Sequence, residues 1–129
     1  MSSGIVREFA GAVIDVNDLE LEAAFWGEMI GEEPGPLRSD GGWIMIGTLA
    51  GQAMLVLQKV PDAKTIKDRI HIDFHVDDVD VAVARIIEFS GSQFSEPKMG
   101  GGVTMADPEG NEFCIGAFRR SKEGVRTPL

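Results

Sequence analysis

The 129-residue chain is short of cysteine, histidine and positive charge: one Cys, two His, and 12 basic side chains against 21 acidic ones. A single cysteine, Cys114, excludes an intramolecular disulfide framework and fits a reducing cytoplasm. No apolar run approaches the roughly 20 residues that a membrane-spanning helix needs, so no membrane partner is expected. The opening MSSGIVREF lacks the basic-then-apolar layout of a signal peptide. Four of the basic residues (Arg119, Arg120, Lys122, Arg126) lie in the last stretch beside Glu123. Residues 1–118 therefore hold 8 basic and 20 acidic side chains, a net of −12, within a formal net charge of −9 for the whole chain. Such a body repels phosphates and argues against a nucleic-acid partner. Recognisable chemistry is scarce as well. MGGGV (99–103) lacks phosphate-loop spacing and reads as a turn, and no Ser-His-Asp or Cys-His order marks a nucleophile.

What is present is an ordinary globular composition, 43% apolar and 26% charged, in a length that suits one domain. The chain also partly repeats itself at an offset of 60. GAVIDVNDLELEAAFWGEMIG (11–31) lies over HIDFHVDDVDVAVARIIEFSG (71–91), matching Ala12, Ile14 and Val16 with Ile72, Phe74 and Val76. Each copy opens on a period-two strand and meets an acidic or amide pair suited to cap a helix, Asn17-Asp18 or Asp77-Asp78. Helical stripes follow: Leu19, Ala23, Trp26 and Ile30 in one, and Val79, Val83 and Ile86, flanked by Ile87, in the other. Glu20 and Glu22 suit the positive end of the first helix dipole, and Gly31 and Gly91 suit left-handed C-caps. Turn-rich residues lead to WIMIGT (43–48) and AMLVLQKV (53–60) in the first copy. In the second they lead to a short strand near Ser92–Ser95, then GVTMA (102–106) and EFCIGAF (112–118). Module one thus runs from about 8 to 60, a linker VPDAKTIKD covers 60–68, module two spans about 69–118, and 119–129 reads as a flexible tail.

Three segments carry a family resemblance: HIDFHVDDVD (71–80), FWGEMIGEEP (25–34) and DPEGNEFCI (107–115). In this order and spacing the chain resembles the vicinal-oxygen-chelate superfamily, the glyoxalase, bleomycin-resistance and extradiol-dioxygenase group. It looks most like the small glyoxalase-like domain proteins of bacteria. The resemblance implies an α+β fold: two βαβββ modules whose curved mixed sheets surround a central cavity, with helices on the outside. It implies that Ile72, Phe74 and Val76 face the helix while His71, Asp73 and His75 look into the cavity. It also implies a homodimer.

Of the four metal-ligand positions that the resemblance implies, only His71 is matched. Gly11 has no side chain to offer, Cys114 stands where a glutamate is usual, and the remaining position falls between Leu55 and Gln58, where only Gln58 could coordinate. A catalytic Zn site keeps three protein ligands, and Ni or Mn prefers oxygen and nitrogen donors to thiolate, so no cofactor is expected and a divalent metal is disfavoured.

The resemblance then leaves two functions open. One is a metal-free small-molecule-binding protein akin to the drug-sequestering branch, with a ligand-binding set of His71, Asp73, Gln58, Trp43, Met45, Glu112 and Cys114. The other is a lyase, isomerase or related enzyme of the same superfamily, using a divalent metal or His71 as general base with Asp73 orienting it. Plainer readings stand beside each residue. Asp73 would pair with Arg69 or Arg85, His75 would be exposed at its strand end, and Glu112 would be solvated. Cys114 would be a small buried hydrophobe, and Trp43 and Met45 plain core. In the DPEGN turn, Asp107 and Pro108 open the bend and Gly110 takes the left-handed position.

Overall fold

The computed structural model describes residues 4, 5, 7, 10–38, 41–48, 54–70, 72–96 and 102–118. His71, part of the MGGGV run and the tail from 119 onward lie outside the described residues. The chain divides after Asp62 into two compact units. Together they hold two mixed sheets, of three and four strands, and two helices, an α+β arrangement with the pattern of two βαβββ modules.

In the first unit the apolar alternation of GAVIDV makes β1 (Gly11–Val16), followed by α1 (Leu19–Ile30), β2 (Trp43–Thr48) and β3 (Met54–Lys59). The strand order is β1-β3-β2, with β1 parallel and β2 antiparallel to the central β3. A register shift between Met45 and Gly47 bulges β2. A fourth strand is present only as a stub: Gly35 N–H donates to Met45 O at 2.8 Å, and Arg38 bridges Trp43. Asp18 caps α1 by accepting from Leu21 N–H at 3.0 Å, as the sequence predicts. The helix lies against β2 and β3 and buries Leu19, Ala23, Phe25 and Trp26 beside Ile44, Ile46 and Leu57. Phe25 and Trp26 meet edge to face, with ring centroids 5.2 Å apart. Glu22 lies in the first turn of α1 as expected and is fully buried, its Oε1 accepting from Trp26 Nε1 at 3.3 Å.

The second unit repeats the plan with β4 (Ile72–Val76), α2 (Val79–Glu88), β5 (Ser92–Gln93), β6 (Val103–Ala106) and β7 (Glu112–Ala117). Its order is β4-β7-β6-β5, with β4 and β7 parallel. Asp78 caps α2 through Val81 N–H at 3.0 Å. Ile86 is the buried anchor of α2, whereas Ile87 is 51% exposed. The helix ends are where the repeat breaks. Gly31 closes α1 at φ 79°, but Gly91 does not repeat this; Ser90 takes the left-handed turn instead, at φ 81°. Gly91 N–H then reaches back to Ile86 O at 2.8 Å and Ser90 N–H to Ile87 O at 3.1 Å, the paired bonds of a Schellman motif. Among the described residues no helix is long and apolar enough to cross a membrane.

Candidate functional site

Strand alternation decides what each sheet shows to its helix and what it shows elsewhere. In the first sheet, Ile14, Val16, Leu55, Leu57, Ile44 and Ile46 share the helix-facing side. The opposite side carries Asp15, Gln58 and Trp43 as direct cross-strand neighbours, with Val13, Val56 and Met45 as the next row. This face is open: Asp15 and Gln58 are exposed, Val13 is 58% exposed, and Trp43 and Met45 are half-buried. Arg38, on the stub beside β2, sets its guanidinium carbon 5.5 Å from the Trp43 ring centroid, a cation–π stack. Three of the residues singled out from sequence, Gln58, Trp43 and Met45, thus share one surface. Asp15 and Arg38 complete it. Neither stood out in sequence, because the register that joins them to Trp43 is a tertiary property.

In the second sheet, Asp73 lies opposite Cys114, and Thr104 lies opposite Cys114 on the other flank. The thiol and the Thr104 hydroxyl are 3.4 Å apart, both buried. Asp73 is exposed, and His75 is half-buried, packed edge to face against Phe118 with ring centroids 6.0 Å apart; the solvent-exposed reading of His75 does not hold. Glu112 is not solvated either. At 5% exposure it forms an ion pair with Lys64 Nζ at 2.6 Å. Its Oε1 accepts from Asp68 N–H at 2.8 Å, while Asp68 Oδ2 accepts from Glu112 N–H at 3.0 Å. Two carboxylates 44 positions apart therefore each bind the other's backbone.

The electrostatics follow from that clasp. Burial pushes the Glu112 carboxyl up, but the Lys64 ammonium and the Asp68 amide outweigh it and hold it below the ordinary range. Burial also acts on Asp68 and leaves its carboxyl above the ordinary range. The hydrogen bond to Glu112 raises Lys64. Next to the clasp, Asp107 Oδ1 accepts from Glu109 and Asn111 N–H at 3.0 and 2.9 Å, and Gly110 adopts φ 94°, so the DPEGN turn closes as its composition predicts.

The Glyoxalase-like domain family matches residues 11–116, most of the chain. The chain belongs to the glyoxalase-like family. Its structural relatives lie in the glyoxalase, bleomycin-resistance and fosfomycin-resistance (vicinal-oxygen-chelate) superfamily. A glyoxalase-related enzyme from Fulvimarina pelagi is 20% identical over 96% of this chain and 99% of its own, with a TM-score of 0.64. A glyoxalase/bleomycin resistance protein/dioxygenase family enzyme from Burkholderia phytofirmans PsJN is 20% identical over 80% and 92%, with a TM-score of 0.64. A mutant of the fosfomycin resistance protein FosX from Listeria monocytogenes, complexed with Mn(II) and a dihydroxypropylphosphonic acid, is 18% identical over 88% and 91%, with a TM-score of 0.71. At these identities the likeness establishes the fold alone. No curated protein matches the sequence.

A glyoxalase-like chain invites a test of its metal positions. Val13 lies opposite Val56 as Asp73 lies opposite Cys114, and 13 and 73 are equivalent in the repeat. The first-unit counterpart of Cys114 is therefore Val56, and Gln58 sits one pleat further along. Gly11 and Val56 have no donor atom, and the Cys114 thiol is engaged with Thr104. Among the described residues no group of three or more His, Cys, Asp or Glu side chains could hold a metal ion. Three of the four positions that the resemblance implies thus offer no free side-chain donor; the fourth, His71, lies outside the described residues.

Proposed function

We propose that this glyoxalase-like chain is a small-molecule-binding protein of the bleomycin-resistance type that works without the superfamily's metal. The observation that carries the reading is the open face of the first sheet, where Trp43 and Gln58 stand over the apolar row of Met45, Val56 and Val13. Small-molecule sites are lined mostly by aromatic and apolar side chains with a few placed polar groups, and this face carries that set. In this reading Trp43, Met45 and Gln58 make the direct contacts. Cys114 and Glu112 line the second sheet behind Asp73, their polar atoms already bound to Thr104 and Lys64. A homodimer, proposed from the family resemblance, and a reducing cytoplasmic setting, proposed from the lone buried thiol of Cys114, complete the picture.

The second reading is an enzyme in which His71 acts as general base beside Asp73. It is favoured by the exposure of Asp73 on the strand that follows position 71. Elemental analysis of protein purified without a His tag tests the first reading, with less than a tenth of a metal per chain expected; one metal per chain would overturn it. EDTA is expected to leave a ligand-induced rise in Tm unchanged. A rate profile that titrates near neutral pH and disappears in His71→Ala would favour the enzyme.

A further inference from the structure

The register of the first sheet lines up four unlike groups in one row. Asp15 on β1 is opposite Gln58 on β3, Gln58 is opposite Trp43 on β2, and Trp43 is bridged to Arg38. Partners across a sheet share a face, so a carboxylate, an amide, an indole and a guanidinium stand side by side. Three strand spacings separate the ends, roughly 14 Å. Asp15, Gln58 and Arg38 are exposed, and the row beside them, Val13, Val56 and Met45, is apolar and open at Val13. The surface is thus negative at one edge, positive at the other, and apolar alongside.

We propose that this row is a binding strip for a zwitterionic small molecule with a flat apolar body. The proposal deepens the small-molecule reading above, from which it takes Trp43, Met45 and Gln58. It adds Asp15, Arg38 and the class of ligand. A carboxylate at one end of the ligand lies on the guanidinium of Arg38, whose planar fork of donors the Trp43 ring holds in place. A protonated amine at the other end meets Asp15, which already has an interaction of its own that the amine shares or displaces. The flat body covers Val13, Val56 and Met45, and Gln58 hydrogen-bonds to its edge. In a chain of net charge −9, a neutral dipolar ligand avoids the repulsion that a plain anion would meet.

Titration of the full chain with three probes tests this: an aminomethyl-biphenyl-carboxylic acid, its methyl ester and its N-acetyl derivative. The zwitterion is expected to bind roughly tenfold more tightly than either capped form. Arg38→Gln should bring the zwitterion down to the ester and leave the ester unchanged. Asp15→Asn should do the same relative to the N-acetyl form. Both side chains are exposed, so both variants should fold, and amide spectra should show shifts at Asp15, Arg38, Gln58 and Trp43. Equal binding of all three probes, or no effect of either variant, would overturn the strip. Probe shifts confined to other residues would overturn it too, while leaving the small-molecule reading standing. A chain that binds no small molecule in a broad thermal-shift screen would overturn both.

Discussion

Ser90 is an L-residue at φ 81°, the left-handed conformation that a glycine, Gly31, adopts at the end of α1. The left-handed region costs a side-chain-bearing residue about 1–2 kcal/mol, and glycine gives part of that back through the freedom of its unfolded chain. Ser90→Gly is therefore expected to stabilise by about 0.5–1 kcal/mol, a rise of about 3 °C in Tm, whereas Ser90→Val should lower it. Thermal denaturation followed by circular dichroism reads both. The Lys64–Glu112 pair makes a second prediction. Removing one partner of a buried pair leaves an uncompensated charge; with Lys64 still partly in water, Lys64→Met should cost roughly 2 kcal/mol. Its pH dependence has a definite sign. The depressed Glu112 contributes stability that is full above the ordinary carboxylate range and is lost as pH falls through its lowered value. Asp68, raised by burial, takes up its proton earlier and offsets part of that loss. The raised Lys64 contributes fully below the ordinary lysine range and less as pH rises through its own value. Denaturant midpoints against pH should thus show a flatter acid limb in Glu112→Gln and a flatter alkaline limb in Lys64→Met.

At the scale of elements, both helices begin on an aspartate that accepts from the third backbone amide beyond it. Asp18→Ala and Asp78→Ala should each cost about 1 kcal/mol. The consequences differ, because α1 buries a broad face and α2 is anchored chiefly through Ile86. Loss of the second cap should raise hydrogen exchange through the first turn of α2, and loss of the first should show mainly as a lower global midpoint. These elements were legible in the sequence because their causes are local: period-two alternation, helical stripes, capping side chains and the DPEGN turn. The helix end at Ser90 was not legible. Gly91 sits at the repeat position and looks like the cap, but α2 stops one turn position earlier and hands the left-handed residue to Ser90.

At the scale of the whole molecule, the segment joining the units is tied at both ends. Asn17 Nδ2 donates to Val60 O and Asp62 O at 2.8 and 3.0 Å in the first unit, and the Lys64–Asp68–Glu112 clasp holds the start of the second. From sequence this segment was a plain linker. The ties predict that trypsin cuts slowly after Lys64 and Lys67, and that Glu112→Gln raises the rate roughly tenfold at temperatures where the fold persists. Unchanged cleavage would mean that the clasp does not restrain the segment.

The sequence by itself determined the duplicated strand-helix-strand plan, the caps and the family, since each is written within a few neighbouring residues. Only the tertiary structure decided that Glu112 turns to Lys64, that Val56 is the counterpart of Cys114, and that Asp15, Gln58, Trp43 and Arg38 stand in one row. Those facts depend on which residues far apart in the chain are brought into register. Hydrogen bonds between strands set that register one pleat at a time, and a shift of a single residue would have turned every one of those side chains to the opposite face.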